Sequence, residues 1–298
     1  MAAPKCPYCG TLNSIGESHC HKCKQPLPGP LGRAARDLVT SLLGRELWVT
    51  KLFMGLNLVV FALMVVDNGR SIGAGLPIGF NIGSAFLLPS TLLRGGALLV
   101  GFDFQVVNGE WWRFLSAVFV HYTLIHLLFN MSWVVSLGRA LEPELRSARF
   151  AIAYLLTGVG GFLLTAAVGP ANTAGASGSV MGLFGVLVGY SFGQRNNMWR
   201  EHLPRLIFYL ILSWFMGEGM RAAGAGAVNN MAHVGGAVIG LGIGFLWGRE
   251  RRTPLLNRLL GMFSVIAVLC AIAAVVACQF SPEWGKQRDR ESAQDGWS

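Results

Sequence analysis

Ser177 lies in the run Gly175-Ala176-Ser177-Gly178, a small hydroxyl flanked by glycines with no charged side chain near it in sequence. Such glycines let a backbone turn tightly and let other chains approach closely. This is the setting of an exposed nucleophilic serine, and equally of small-residue helix packing. His233 stands in a second apolar run, and His121, His126 and Asn130 stand in a third. A serine beside a neutral histidine is an activated nucleophile. The imidazole takes the hydroxyl proton during attack and returns it to the leaving amine. The oxyanion that results needs donors, for which the backbone N–H of Ser177 and the side chains of His126 and Asn130 are candidates. No acidic third member is evident, since nothing ties Glu218 to His233, so a two-residue dyad is the simpler arrangement.

Spacing separates these residues further. His126 and Asn130 are four apart and share a helix face. His121 and His126 are five apart, about 140° around a helix, and are not expected to aim at one atom. That spacing, and the lack of an HExxH pattern, count against a metal hydrolase built on His121, His126 and His233.

A different chemistry opens the chain. Cys6-Pro7-Tyr8-Cys9 and Cys20-His21-Lys22-Cys23 are two CxxC pairs, the pattern of a zinc site. His19 and His21 are further potential ligands, but four cysteines suffice. A site closed by four thiolates is structural, and a ribbon of this kind serves to bind a partner, here expected to be a cytosolic protein.

The elements that must position the serine and histidines are membrane spans. Of the 298 residues, 53% are hydrophobic and only 13% are charged, about half the charged share of a soluble domain. Several apolar runs approach or exceed the ~20 residues that cross a bilayer. Seven spans are expected, at about 47–66, 114–137, 149–168, 177–191, 203–220, 228–247 and 259–278. Residues 67–112 are broken by glycines and prolines and read as a large external loop ending in Trp111-Trp112-Arg113, with the tryptophans at the interface and the arginine an anchor to headgroups or loop carbonyls. Lysines and arginines gather before the first span and in the loops after the second, fourth and sixth. The positive-inside rule therefore places the N-terminus in the cytosol, where reducing conditions favour thiolates over disulfides. The net charge of +9 reports this orientation and not nucleic-acid binding. On this topology Ser177, His233, His121 and His126 share the external half of the membrane. Gly178, Gly182, Gly185, Gly189 and Gly193 in the fourth span, and Gly236, Gly240, Gly244 and Gly248 in the sixth, give two small-residue faces. If they meet, Ser177 and His233 come together at the top of the contact. Glu142, in the turn after the second span, reads as a loop-ordering carboxylate.

Taken together, Gly175-Ala-Ser177-Gly178, His233 with Gly236 and Gly240, and His121-x4-His126-x3-Asn130 resemble the rhomboid intramembrane serine proteases. Trp112-Arg113 is similar to that family's first-loop motif. The resemblance covers about Leu47 to Trp247. It implies a six-helix core, a Ser177–His233 dyad, oxyanion support from His126 and Asn130, a structural role for His121, and cleavage of transmembrane substrates near their external ends without a catalytic cofactor. Met181 stands one turn after Ser177, where family members often carry an aromatic that packs on the histidine; a flexible thioether fills such a space.

The organisation expected is an all-α polytopic membrane protein. Residues 1–24 are a zinc ribbon and 25–46 a linker and interfacial segment, Pro-rich at 25–30 and then, over 31–46, either an interfacial helix on lipid headgroups or a solvated tether. The six-helix core spans 47–248, a seventh transmembrane helix lies in 249–280, and 281–298 form a polar tail. The expected location is a bacterial inner membrane, with the site opening to the external side. The reading from another functional class is an inactive rhomboid-like protein that binds client transmembrane segments; the presence of both dyad members argues against it.

Overall fold

The computed structural model describes residues 6, 11–14, 17–27, 47–71, 98–100, 109–168, 171–222 and 228–280. Cys9, the interfacial segment around Arg33, Arg36 and Arg45, most of the large first loop and the tail from 281 lie outside them.

Among the described residues seven helical passes are present, carried by six long helices. They are α1 (Trp48–Ser71), α3 (Leu124–Val168), α4 (Ser177–Gly193), α5 (Trp199–Ala222), α6 (Asn230–Arg249) and α7 (Pro254–Gln279), with a short α2 (Arg113–Ser116) and a 3-10 turn, Ala117–Phe119, ahead of α3. A straight α3 would be about 68 Å long at 1.5 Å per residue, more than twice the ~30 Å hydrocarbon core. It is broken at Arg146 (φ 68°, ψ 155°), just after Pro143, and so makes two passes. Their far ends return to the same level: His126 lies against Gly175, and Thr165 bonds Asn229. Among the described residues four helices are long and apolar enough to cross a membrane by length and composition alone: α1, α3, α6 and α7. α4 is a shorter apolar helix. α5 carries more polar residues but exposes Phe208, Ile211, Phe215 and Met216 on its outer side.

The architecture is the expected all-α polytopic one, with two local features added. Leu98–Val100 (β1) and Ala171–Thr173 (β2) pair antiparallel, Leu98 opposite Thr173, so the first loop is hydrogen-bonded to the loop that leads into Ser177. The second pass begins at Leu124 and not near Phe114. The 3-10 turn and extended Val120 (ψ 138°) interrupt the run, and Thr123 caps the helix by accepting the His126 N–H at 3.0 Å.

Polar groups buried in the bundle lock the passes together. Glu142 accepts the Val49 and Thr50 N–H groups at 3.0 and 2.9 Å and the Thr50 hydroxyl at 2.6 Å. It thus satisfies orphan donors at the start of α1, while the Ser147 hydroxyl binds it at 2.8 Å across the break. Glu142 orders its turn as expected and, beyond that, caps a helix some ninety residues away. Arg113 is fully buried and paired with Glu110; it is not a headgroup anchor, because a buried guanidinium needs a carboxylate.

Candidate active site

The glycine faces of α4 and α6 meet. A methyl group at Gly236, Gly240, Gly244 or Gly248 would collide with the carbonyl of Gly178, Gly182, Val186 or Tyr190 respectively. From the other side, Gly185, Gly189 and Gly193 abut the carbonyls of Ala237, Leu241 and Phe245. Backbone-to-backbone contact on this scale needs residues without Cβ. Gly161 on α3 also abuts the Ala232 carbonyl, and Ser179 donates to the Tyr154 carbonyl at 2.7 Å, which ties both helices to the second arm of α3.

At the top of this contact, Ser177 is the first residue of α4 and His233 lies in the first turn of α6. Ser177 Oγ and His233 Nε2 are 2.8 Å apart. His233 is buried, and its Nδ1 meets no acceptor among the described residues. Hence Ser177 and His233 form a hydrogen-bonded pair with no third side chain on the imidazole among the described residues. Position at a helix start gives Ser177 N–H groups of the first turn with no intrahelical acceptor, the usual anion-binding end of a helix.

Asn229 was not anticipated from the sequence. It is the N-cap of α6, accepting the Ala232 N–H at 3.1 Å and the Thr165 hydroxyl at 3.1 Å, and donating to the Thr173 hydroxyl at 2.7 Å. These bonds fix the helix start one turn before His233. An asparagine just ahead of an apolar run is itself a capping signal.

His126 borders the serine from the other side. Gly175 has φ +124°, and an alanine there would place its Cβ 2.8 Å from His126 Cε1. Glycine is therefore required twice, by backbone conformation and by the ring beside it. Asn130 is buried and donates to the His126 carbonyl at 3.0 Å, one turn below on the same face as expected. His121 corrects the helical-wheel expectation. It precedes the helix, so the 140° separation does not apply, and its ring centroid is 4.9 Å from that of His126. Its Nε2 faces the Ala176 N–H at 3.5 Å, and the side chain is fully buried. Met181 is buried in the core next to this region.

Among the described residues, the one group of three or more metal-ligating side chains close enough for a single ion is Cys6, Cys20 and Cys23, whose sulfurs all lie within 4.8 Å of one another. Cys6 and Cys23 sulfurs are 3.5 Å apart; two thiolates at 2.3 Å from one tetrahedral ion stand about 3.8 Å apart. The two cysteine turns match. Cys6 N–H donates to Thr11 C=O at 2.8 Å, and Cys20 N–H donates to Gln25 C=O at 2.7 Å, each five residues on.

A rhomboid-domain family model matches residues 108–250. The chain is 29% identical to the rhomboid protease GluP of Bacillus subtilis over 68% of its own length and 40% of that protein. It is 32% identical to YdcA of the same organism over 52% of this chain and 77% of the relative. It is 34% identical to the rhomboid protease GlpG of Klebsiella pneumoniae over 48% and 51% of the two chains. The chain thus spans about half or less of GluP and GlpG and about three quarters of YdcA.

Proposed function

The chain belongs to the rhomboid family, and on that footing we propose that it is an integral, multi-pass serine endopeptidase that cleaves transmembrane proteins near the external membrane face. The observation that carries this reading is the 2.8 Å contact between Ser177 Oγ and His233 Nε2. His233 accepts the hydroxyl proton as Oγ attacks the scissile carbonyl, and delivers it to the amine as the peptide C–N bond breaks. Water then attacks the acyl-enzyme with His233 again as base. The oxyanion is held by first-turn N–H groups of α4 with His126 and Asn130, and loss of one such donor typically costs ~10²–10³ in rate. His121 supports the Ala176 turn and is not a donor to substrate. The substrate helix must unwind locally to expose its carbonyl, which favours small or helix-breaking residues at the cut, and water reaches the site through a cavity open to the external side.

The N-terminus, on the positive-inside argument, is cytosolic, and the membrane is a bacterial inner membrane. Cys6, Cys20 and Cys23, with Cys9, hold one zinc ion that orders the ribbon, Leu27 included, for a cytosolic protein partner and takes no part in proteolysis, while membrane lipids meet the exposed apolar faces of the passes. The test is reconstitution in proteoliposomes with a single-span reporter protein, the cut mapped by mass spectrometry. A cut at the external end of the span, absent in Ser177→Ala, is expected. Binding of the reporter with no cut by wild type would favour an inactive client-binding protein.

A further inference from the structure

The family model ends at residue 250, yet α7, which lies wholly beyond it, reaches the support of the reactive serine. Near its C-terminal end Cys278 is fully buried and donates to the Ser116 hydroxyl at 3.3 Å. Ser116 is the last residue of α2 and is itself fully buried, with its hydroxyl directed at the Arg113 carbonyl at 3.5 Å. The next residue, Ala117, accepts the Gly175 N–H at 2.9 Å. Gly175 is the left-handed glycine two residues before Ser177. An unbroken path of packed, hydrogen-bonded groups therefore runs from α7 through Ser116 and Ala117 to the turn that presents the nucleophile.

The opposite end of α7 is fastened as firmly. Arg149 at the start of the third pass, the second arm of α3, donates to Asn257 on α7 at 2.9 Å and pairs with Glu250. Arg252 donates to the Tyr190 hydroxyl at 2.7 Å and the Glu144 carbonyl at 2.9 Å. Thr253 caps the helix by accepting the Leu256 N–H. Between these ends, Leu259, Met262, Phe263, Ile266 and Leu269 are exposed. The opposite face, with Ser264, Ala271, Ala274 and Val275, is buried against the bundle, and of the two ends it is the Cys278 end that adjoins the serine turn.

We propose that α7 is part of the catalytic unit and that Cys278 is a positioning residue, which fixes the Ser116–Ala117 segment and through it the Gly175 turn and Ser177. This rests on the proteolytic reading above. Cys278 touches neither substrate nor the reacting atoms, so its loss changes turnover and leaves substrate binding intact.

The test uses the full chain in proteoliposomes with a transmembrane reporter. Wild type, Cys278→Ala, Cys278→Ser and Thr253→Ala are compared for kcat, KM and thermal midpoint. Thr253→Ala removes the cap at the far end of α7 and serves as a loss of helix stability remote from the serine. Cys278→Ala is expected to lower kcat about tenfold at unchanged KM, since small displacements of a positioned group are costly. Cys278→Ser, which keeps a donor for Ser116, restores most of it, and Thr253→Ala keeps wild-type kcat. The proposal is overturned if Cys278→Ala turns over like wild type, or if the Ala and Thr253 variants lose activity only in step with their thermal midpoints. A wild type that does not cut would remove the proteolytic reading first, and this one with it.

Discussion

The Ser177 hydroxyl and the His233 imidazole, 56 residues apart in the chain, are 2.8 Å apart in space. Neither helix sets that distance alone. It follows from two glycine faces that bring the backbones of α4 and α6 into contact, and from the Asn229 cap that fixes where α6 begins.

The glycine contact makes a sharp prediction. Gly240→Leu drives a side chain into the Gly182 carbonyl, whereas Gly242 on the same helix has nothing within 4 Å of an added Cβ. Overpacking costs about 1–3 kcal/mol. Gly240→Leu should lower the thermal midpoint and cut proteolysis at least tenfold by separating the dyad, an estimate based on the cost of misplaced reacting groups. Gly242→Ala should leave both unchanged.

Gly175→Ala tests the serine turn. Its φ of +124° and the His126 ring 2.8 Å from the new Cβ both oppose the change. Strain of about 1–3 kcal/mol is expected, divided between stability and a displaced Ser177. The expected outcome in steady-state kinetics is a loss in kcat larger than any change in KM.

Arg149, 2% exposed, and Glu250, 13% exposed, form a largely buried pair joining α3 to the end of α6. Arg149→Met leaves Glu250 without its partner and should destabilise by about 3–5 kcal/mol. The double variant Arg149→Met/Glu250→Met should recover much of that in detergent unfolding. A double variant no more stable than the single one would show that the Asn257 bond matters more than the ion pair.

Removal of the metal should separate the ribbon from the catalytic core. Purified protein should hold one zinc per chain by elemental analysis, and Cys20→Ser should lower that content. Chelation should leave acylation of Ser177 unchanged, because the three sulfurs are far in sequence from the dyad and form their own small core with Leu27.

The number of passes, the closeness of Ser177 and His233 and the meeting faces of α4 and α6 were legible in the sequence, because each is written in a short-range signal: apolar run length, glycines every fourth residue, and polar side chains in apolar surroundings. The position of His121 was not. A continuous apolar run from Phe114 hides the 3-10 turn and the Thr123 cap, so helical periodicity was applied to a residue ahead of the helix. Nor were the partners of Arg113, Glu142 and Cys278 legible in full. Each rests on where a side chain points once the chain has folded, and for Glu142 and Cys278 the partner is 92 and 162 residues away. Asn229 is a different case, since its capping signal was present and was overlooked beside His233.

Labelling with a fluorophosphonate reports whether the hydroxyl at position 177 is an activated nucleophile. Wild type, Ser177→Ala and His233→Ala are each exposed to the probe in detergent after their folding has been checked by thermal unfolding. One probe adduct per wild-type chain, located on Ser177 by mass spectrometry, and none on either variant, is expected of an activated serine there. Labelling of His233→Ala at the wild-type rate, or a folded wild-type protein that takes no label, would contradict it.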